Sequence, residues 1–157
     1  MEKYNTLENK KDYEAFISNI PSYMEKLAKI IGKEKLNFDE EEIVKISEYF
    51  IDVFNNKSFT IEYKKEFIAY IGEAFMQRYG GEWGFTGEKD SFSPNEPAIG
   101  RYEPGTIRFC PINSIVRIFE KRNAAQYIEE MKYRDEMLKK TEAIFAKHFP
   151  QKNKRKK

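Results

Sequence analysis

The stretch Tyr70-Ile71-Gly72-Glu73-Ala74-Phe75-Met76-Gln77-Arg78-Tyr79-Gly80-Gly81-Glu82-Trp83 is the point at which the chain changes from helical to extended sequence. Its apolar residues recur at helical spacing until the double glycine, which permits the positive φ needed to leave a helix. The only tryptophan follows two residues later. Gly72 costs a helix interior about 1 kcal/mol relative to alanine, which indicates that another element approaches closely there.

Helical periodicity extends in both directions from this stretch. Five helical segments are predicted, over residues 11–31, 39–55, 61–79, 111–121 and 124–149. Within the first segment, Pro21 predicts a break between two helices, because proline suits the first turn of a helix better than its interior.

Residues 82–110 lack helical spacing and are rich in glycine, proline, serine and asparagine. Strands are predicted over 82–86, 98–102 and 106–110, with a turn that joins the last two into a hairpin. The intervening segment 87–96 is predicted to be a polar loop that is either mobile or faces a partner. The sequence therefore predicts a single α+β domain, mostly helical, with a small antiparallel β-sheet or hairpin inserted between helices.

Composition favours a folded protein with an aromatic core, since 15% of its 157 residues are aromatic. The sequence contains no run of about 18 apolar residues, so no membrane span is predicted. The N-terminus is polar and the single cysteine excludes an internal disulfide, so we expect a cytoplasmic protein. We place the domain at residues 1–151 and a basic tail at 152–157. The net charge is +2 and the tail holds five basic residues, so residues 1–151 carry −3.

Candidate catalytic residues are few. His148 is the only histidine, which excludes a zinc site built from two histidines. Cys110 follows a strand-like run, and core packing is the preferred interpretation because lone cysteines are usually buried; the alternative is a nucleophile at the start of the helix that Pro111 opens. Glu73 and Glu82 are the carboxylates that an enzyme would use as a pair, although structural ion pairing is the preferred interpretation. The chain has no phosphate-binding glycine motif, and no cofactor or metal is predicted.

Aromatic residues concentrate in the extended region, where Trp83 and Phe85 share one face of the predicted strand. Their ordinary role is to pack a sheet onto helices. The alternative is an exposed aromatic anchor for a protein partner.

The block from Tyr70 to Trp83, followed by Pro97-Ala98-Ile99 and Arg108-Phe109-Cys110-Pro111, resembles a pattern in small bacterial cytosolic proteins. Several of those proteins resemble immunity proteins of polymorphic toxin systems. The resemblance covers about residues 60–122 and carries no catalytic residues. It implies a non-catalytic protein that neutralises a cognate bacterial toxin by occluding the toxin's active site.

The predicted function is therefore binding of a protein partner, with no membrane involvement. The sequence predicts no oligomeric state. Acidic side chains on such a binder would speed its association with a basic partner. The predicted partner contacts are Glu82, Trp83, Glu88, Asp90, Glu96 and Arg101. Two alternatives are an accessory nucleic-acid-binding protein that uses the basic tail, and an enzyme that uses Glu73 and Glu82.

Overall fold

Five helices and a two-stranded antiparallel sheet make up the part of the chain that the computed structural model describes, residues 6–90, 93–102 and 108–148. The elements are α1 (Lys10–Ile30), α2 (Glu40–Asn55), α3 (Ile61–Tyr79), β1 (Glu82–Phe85), β2 (Pro97–Gly100), α4 (Pro111–Lys121) and α5 (Gln126–His148). This order confirms the predicted α+β class, with a small sheet inserted between helices. The predicted basic tail, 152–157, lies outside the described residues.

Helix α3 is the centre of the core. Its side chains are buried around most of its circumference, as expected for a helix covered on several sides. Helices α1, α2 and α4 and strand β2 all contact it. Phe67 of α3 stacks on Phe50 of α2 with 4.4 Å between ring centroids, and Phe75 stacks on Phe109 at 4.0 Å.

The sheet packs onto α3 at Gly72. A Cβ atom at this position would lie 2.0 Å from Cη2 of Trp83, so the indole occupies the space that any other side chain would need. Phe16 of α1 holds the same indole edge-on, with ring centroids 5.4 Å apart. The close approach that the sequence predicts at Gly72 is thus the ring of Trp83. The chain leaves α3 through Gly80 and Gly81, whose φ values are 78° and 105°.

The predicted strands are confirmed at β1 and β2, which pair with Trp83 opposite Ile99. The predicted hairpin of 98–102 with 106–110 is reduced in the described residues to one bridge between Ile99 and Phe109. Two backbone hydrogen bonds of 2.8 and 2.9 Å form that bridge. The predicted turn at 103–106 lies outside the described residues.

The predicted break at Pro21 is wrong, because α1 is continuous from Lys10 to Ile30. Pro21 is exposed, while the buried face continues across it from Phe16 and Ile20 to Tyr23 and Leu27. Burial of this face outweighs the local cost of the proline. None of the helices in the described ranges is long and apolar enough to cross a membrane.

Replacement of Gly72 tests the contact with Trp83. We expect Gly72→Ala to lower the free energy of unfolding by about 1–3 kcal/mol, because the new methyl group would clash with the indole of Trp83, which Phe16 also contacts. In a Trp83→Leu background the same change should instead stabilise by up to about 1 kcal/mol, the helix preference of alanine over glycine. Urea denaturation of the four proteins measures both values. Equal effects in the two backgrounds would contradict the assigned contact.

Candidate functional site

Helix α5 is supported by the core only at its start. Its buried residues are Gln126, Tyr127, Ile128 and Met131. Residues 132–148 include no buried side chain and expose large apolar ones. Tyr133 is 65% exposed and Ile144 is 59% exposed. We call residues 132–148 the outer half of α5.

A groove runs between the outer half of α5, the first turns of α4 and the segment 108–110. Its volume is about 730 Å³, within the usual range for ligand pockets. Apolar wall residues include Phe109, Met131, Met137 and Leu138. Unbranched methionines adapt to irregular surfaces and are common at protein-binding sites. We call this feature the α4–α5 groove.

The carboxylate of Glu130 fixes the two helices of the groove relative to each other. It accepts two hydrogen bonds from Arg117, of 2.6 and 2.8 Å. Ser114 and Gln126 each donate a further bond of 2.8 Å. Burial raises the pKa of Glu130, but the bonds from Arg117, Gln126 and Ser114 outweigh burial and leave the pKa below its usual value.

Arg134, one turn after Glu130 on α5, lines the groove and lies against a cluster of aromatic rings. Its guanidinium carbon is 5.3 Å from the ring centroid of Phe75 and 5.9 Å from that of Phe109. The guanidinium also donates a 3.3 Å hydrogen bond to the hydroxyl of Tyr102. One residue on, Asp135 pairs with Arg78 and accepts a 2.6 Å bond from the hydroxyl of Tyr79.

The predicted partner contacts do not share one environment. Glu82 and Arg101 form an exposed ion pair of 3.5 Å at the end of the sheet, and Glu88 is exposed in the following loop. Trp83 is half-buried between Gly72 and Phe16, so its packing role is structural.

Asp90 is turned toward the groove. It accepts a 2.7 Å bond from the backbone N–H of Ser93 and pairs with Arg108, which lines the α4–α5 groove. The predicted loop is therefore connected to the edge of the groove through this ion pair.

Glu96 is buried, contrary to its predicted place on a polar loop. It accepts a short hydrogen bond from the hydroxyl of Thr6, and its Oε1 lies 3.8 Å from Nζ of Lys64. Burial raises the pKa of Glu96, while Thr6 and Lys64 lower it in part. Because the carboxylate is engaged inside the protein, it offers a partner little surface.

The candidate catalytic residues occupy separate surroundings. Burial raises the pKa of Glu73, and the indole of Trp83 lowers it in part, whereas Glu82 is exposed beside Arg101. Burial raises the pKa of the Cys110 thiol, and Arg108 offsets this rise only in part. A nucleophilic cysteine needs a lowered pKa. His148 is exposed at the end of α5. Across the described ranges, no group of three His, Cys, Asp or Glu residues could hold a metal ion.

A second cavity, of about 1170 Å³, lies between Thr6, the end of α2 and the start of α3. It is lined by Lys57 and Arg122, which follow the C-terminal ends of α2 and α4. Cations there offset the negative ends of helix dipoles. The carboxylates of Glu8 and Asp12 line the same cavity, so its walls carry both signs of charge.

The chain matches no protein-family model, no curated protein and no solved structure. The geometry therefore has to define the site. The α4–α5 groove is not among the features predicted from the sequence. The sequence does contain an apolar repeat there, because Met131, Leu138 and Phe145 recur every seven residues along α5. That spacing predicts an apolar stripe on one side of a helix, but it does not indicate what covers the stripe.

Removal of the Glu130 charge should loosen the groove in a pH-dependent way. We expect Glu130→Gln to lower the free energy of unfolding at pH 7 by about 1.5–3 kcal/mol, the range for hydrogen bonds to a charged group. Because the folded-state pKa is lowered, the stabilisation is present above the unfolded pKa of about 4.3 and is lost as pH falls through the folded value. Denaturation at pH 7 and pH 3 measures this loss. The exposed Glu136→Gln variant is the control, and an equal deficit at both pH values would contradict the prediction.

The pair of Lys64 and Glu96 should behave as a buried ion pair. We expect Lys64→Met to cost about 3–5 kcal/mol, because it leaves the Glu96 carboxylate buried without its cation. The double variant Lys64→Met/Glu96→Gln should recover most of that loss, since neither position is then charged. Thermal and urea unfolding of the three proteins test this. A double variant no more stable than Lys64→Met would count against the pairing.

Proposed function

We propose that this chain is a non-catalytic cytoplasmic binding protein of the immunity type, which neutralises a cognate bacterial toxin by occluding its active site. The observation that carries the proposal is the exposed apolar face of the outer half of α5, together with the α4–α5 groove beside it. The resemblance of residues 60–122 to immunity proteins supplies the class of partner.

The outer half of α5 has the character of a surface that binds another protein. Tyr133, Met137, Ile144 and Phe145 are 65%, 40%, 59% and 52% exposed. Large apolar side chains gathered along one element favour a partner, whereas isolated ones are ordinary. Most helical stability in proteins comes from tertiary packing and this segment has no buried side chain, so a partner that covered it would also stabilise it.

Polar side chains that border this face fit a binding rim. Arg108, which lines the groove, is paired with Asp90. The exposed charges of Glu82, Glu88 and Arg101 remain our predicted outer contacts. Rim charges of this kind mainly set association rate and partner choice.

Introduction of negative charge on α5 tests the proposed surface. The variant Met137→Glu/Ile144→Glu puts two carboxylates on the apolar face. The control is Ala143→Glu. Ala143 follows Met137 by six residues, and at about 100° per residue its side chain points away from Met137 and lies on the opposite side of the helix from Leu138. The tagged proteins are expressed in their own host, and the material bound to each is identified by mass spectrometry.

We expect the unmodified protein and Ala143→Glu to retain one stoichiometric toxin domain, and the double variant to bind it at least about tenfold more weakly. Growth of cells that co-express the toxin should follow the same order. Equal retention by all three proteins would exclude the α5 face. Nucleic acid that is lost at high salt, in place of a protein, would favour the alternative that uses the basic tail.

A further inference from the structure

We propose that Arg134 is an anchor for a carboxylate of the partner, so that the α4–α5 groove receives a segment in which an aspartate or glutamate is flanked by apolar residues. The inference rests on the proposed function and goes beyond it by naming the chemistry that the groove recognises. It assigns the acidic group at this contact to the partner, whereas the sequence places the acidic groups on this chain.

The guanidinium of Arg134 is held by aromatic rings. Its central carbon lies 5.3, 5.8, 5.9 and 5.9 Å from the ring centroids of Phe75, Tyr79, Tyr102 and Phe109. Aromatic faces attract a cation without using its N–H donors. Arginine is also more weakly hydrated than lysine, so it tolerates this apolar setting.

The neighbouring arginines are already paired with carboxylates, and Arg134 is different. Arg78 pairs with Asp135, Arg108 with Asp90 and Arg117 with Glu130. Among the described residues, Arg134 has no carboxylate oxygen within 4.0 Å. A guanidinium has five N–H groups, and the described bond of Arg134 goes to the neutral hydroxyl of Tyr102. Its donors therefore suit a carboxylate, which a guanidinium binds in a two-bond fork.

The rest of the groove selects what surrounds that carboxylate. Met131, Met137 and Leu138 form an apolar wall beside Arg134. Glu129 and Glu130 line the same groove. These two carboxylates disfavour a chain of phosphates more than a single carboxylate, since repulsion between like charges grows with the number of charges brought close. One isolated acidic side chain within an apolar segment fits both the arginine and the wall.

The aromatic cluster also makes the anchor rigid before the partner arrives. A long arginine side chain normally loses rotamer freedom on binding, and the four surrounding rings impose much of that restriction in advance. Arginines that are partly desolvated and pre-positioned in this way are common among the residues that dominate binding energy. We therefore expect Arg134 to contribute strongly to affinity.

Selection from a displayed library of random twelve-residue peptides tests the inference even while the partner is unidentified. The full-length protein is the target, and the binding of the selected peptides to Met137→Glu/Ile144→Glu is measured afterwards. We expect the selected peptides to carry an aspartate or glutamate next to leucine, methionine or phenylalanine. The leading peptide is then synthesised in its acidic form and with the acid replaced by the corresponding amide.

We expect Arg134→Met to weaken the acidic peptide at least about tenfold, as loss of a charge-assisted double hydrogen bond implies. Arg134→Lys should retain part of the affinity, because it keeps the charge and loses the fork. The amide peptide should bind the unmodified protein about as weakly as the acidic peptide binds Arg134→Met. The comparison of the acidic and amide peptides on the unmodified protein needs no change in the protein, so it stands even where Arg134→Met is poorly folded.

Acidic and amide peptides that bind equally would overturn the role of Arg134. If such binding is still lost in Met137→Glu/Ile144→Glu, the proposed function survives and only the anchor fails. Peptides that bind all variants alike would contradict both. The molecular mass of the protein in solution would reveal a dimer if it doubled as the concentration rose and returned to the monomer value in Met137→Glu/Ile144→Glu. That result would assign the α5 face to a second copy of this chain and overturn the inference.

Discussion

The packing of the Trp83 ring on Gly72 is the constraint on which the rest of the structure depends. Because glycine leaves room for the indole, β1 lies directly on α3, and pairing with β1 sets the position of β2. Strand β2 then holds Phe109 through the bridge at Ile99, within stacking distance of Phe75. One absent side chain in the middle of a helix thus determines where a segment more than 35 residues later is placed.

The same arrangement prepares the candidate site. Phe75 and Phe109 belong to the ring cluster that surrounds Arg134, so the core and the groove share aromatic side chains. One turn before Arg134, Glu130 joins α4 and α5 through charged hydrogen bonds. The groove is therefore held at its base, where core contacts and charged hydrogen bonds converge, and open along the outer half of α5.

Periodicity and glycine placement predicted the helices, the first two strands and the close approach at Gly72, because those features are written in local sequence. The errors arose where distant residues decide. Pro21 stays inside α1 because the helix face is buried on both sides of it. Glu96 is buried because Thr6 and Lys64 meet it, from 90 and 32 residues away. The groove likewise depends on the crossing of α4 and α5, which no single segment specifies.

The outer half of α5 has a consequence for how such a protein changes over generations. Beyond Asp135, α5 contributes no buried residue to the core, so substitutions there alter the presented surface at little cost in folding free energy. Along this part of α5, the exposed surface and the stability of the core therefore depend on separate residues. The surface can change without the chain first accumulating surplus stability to tolerate the change.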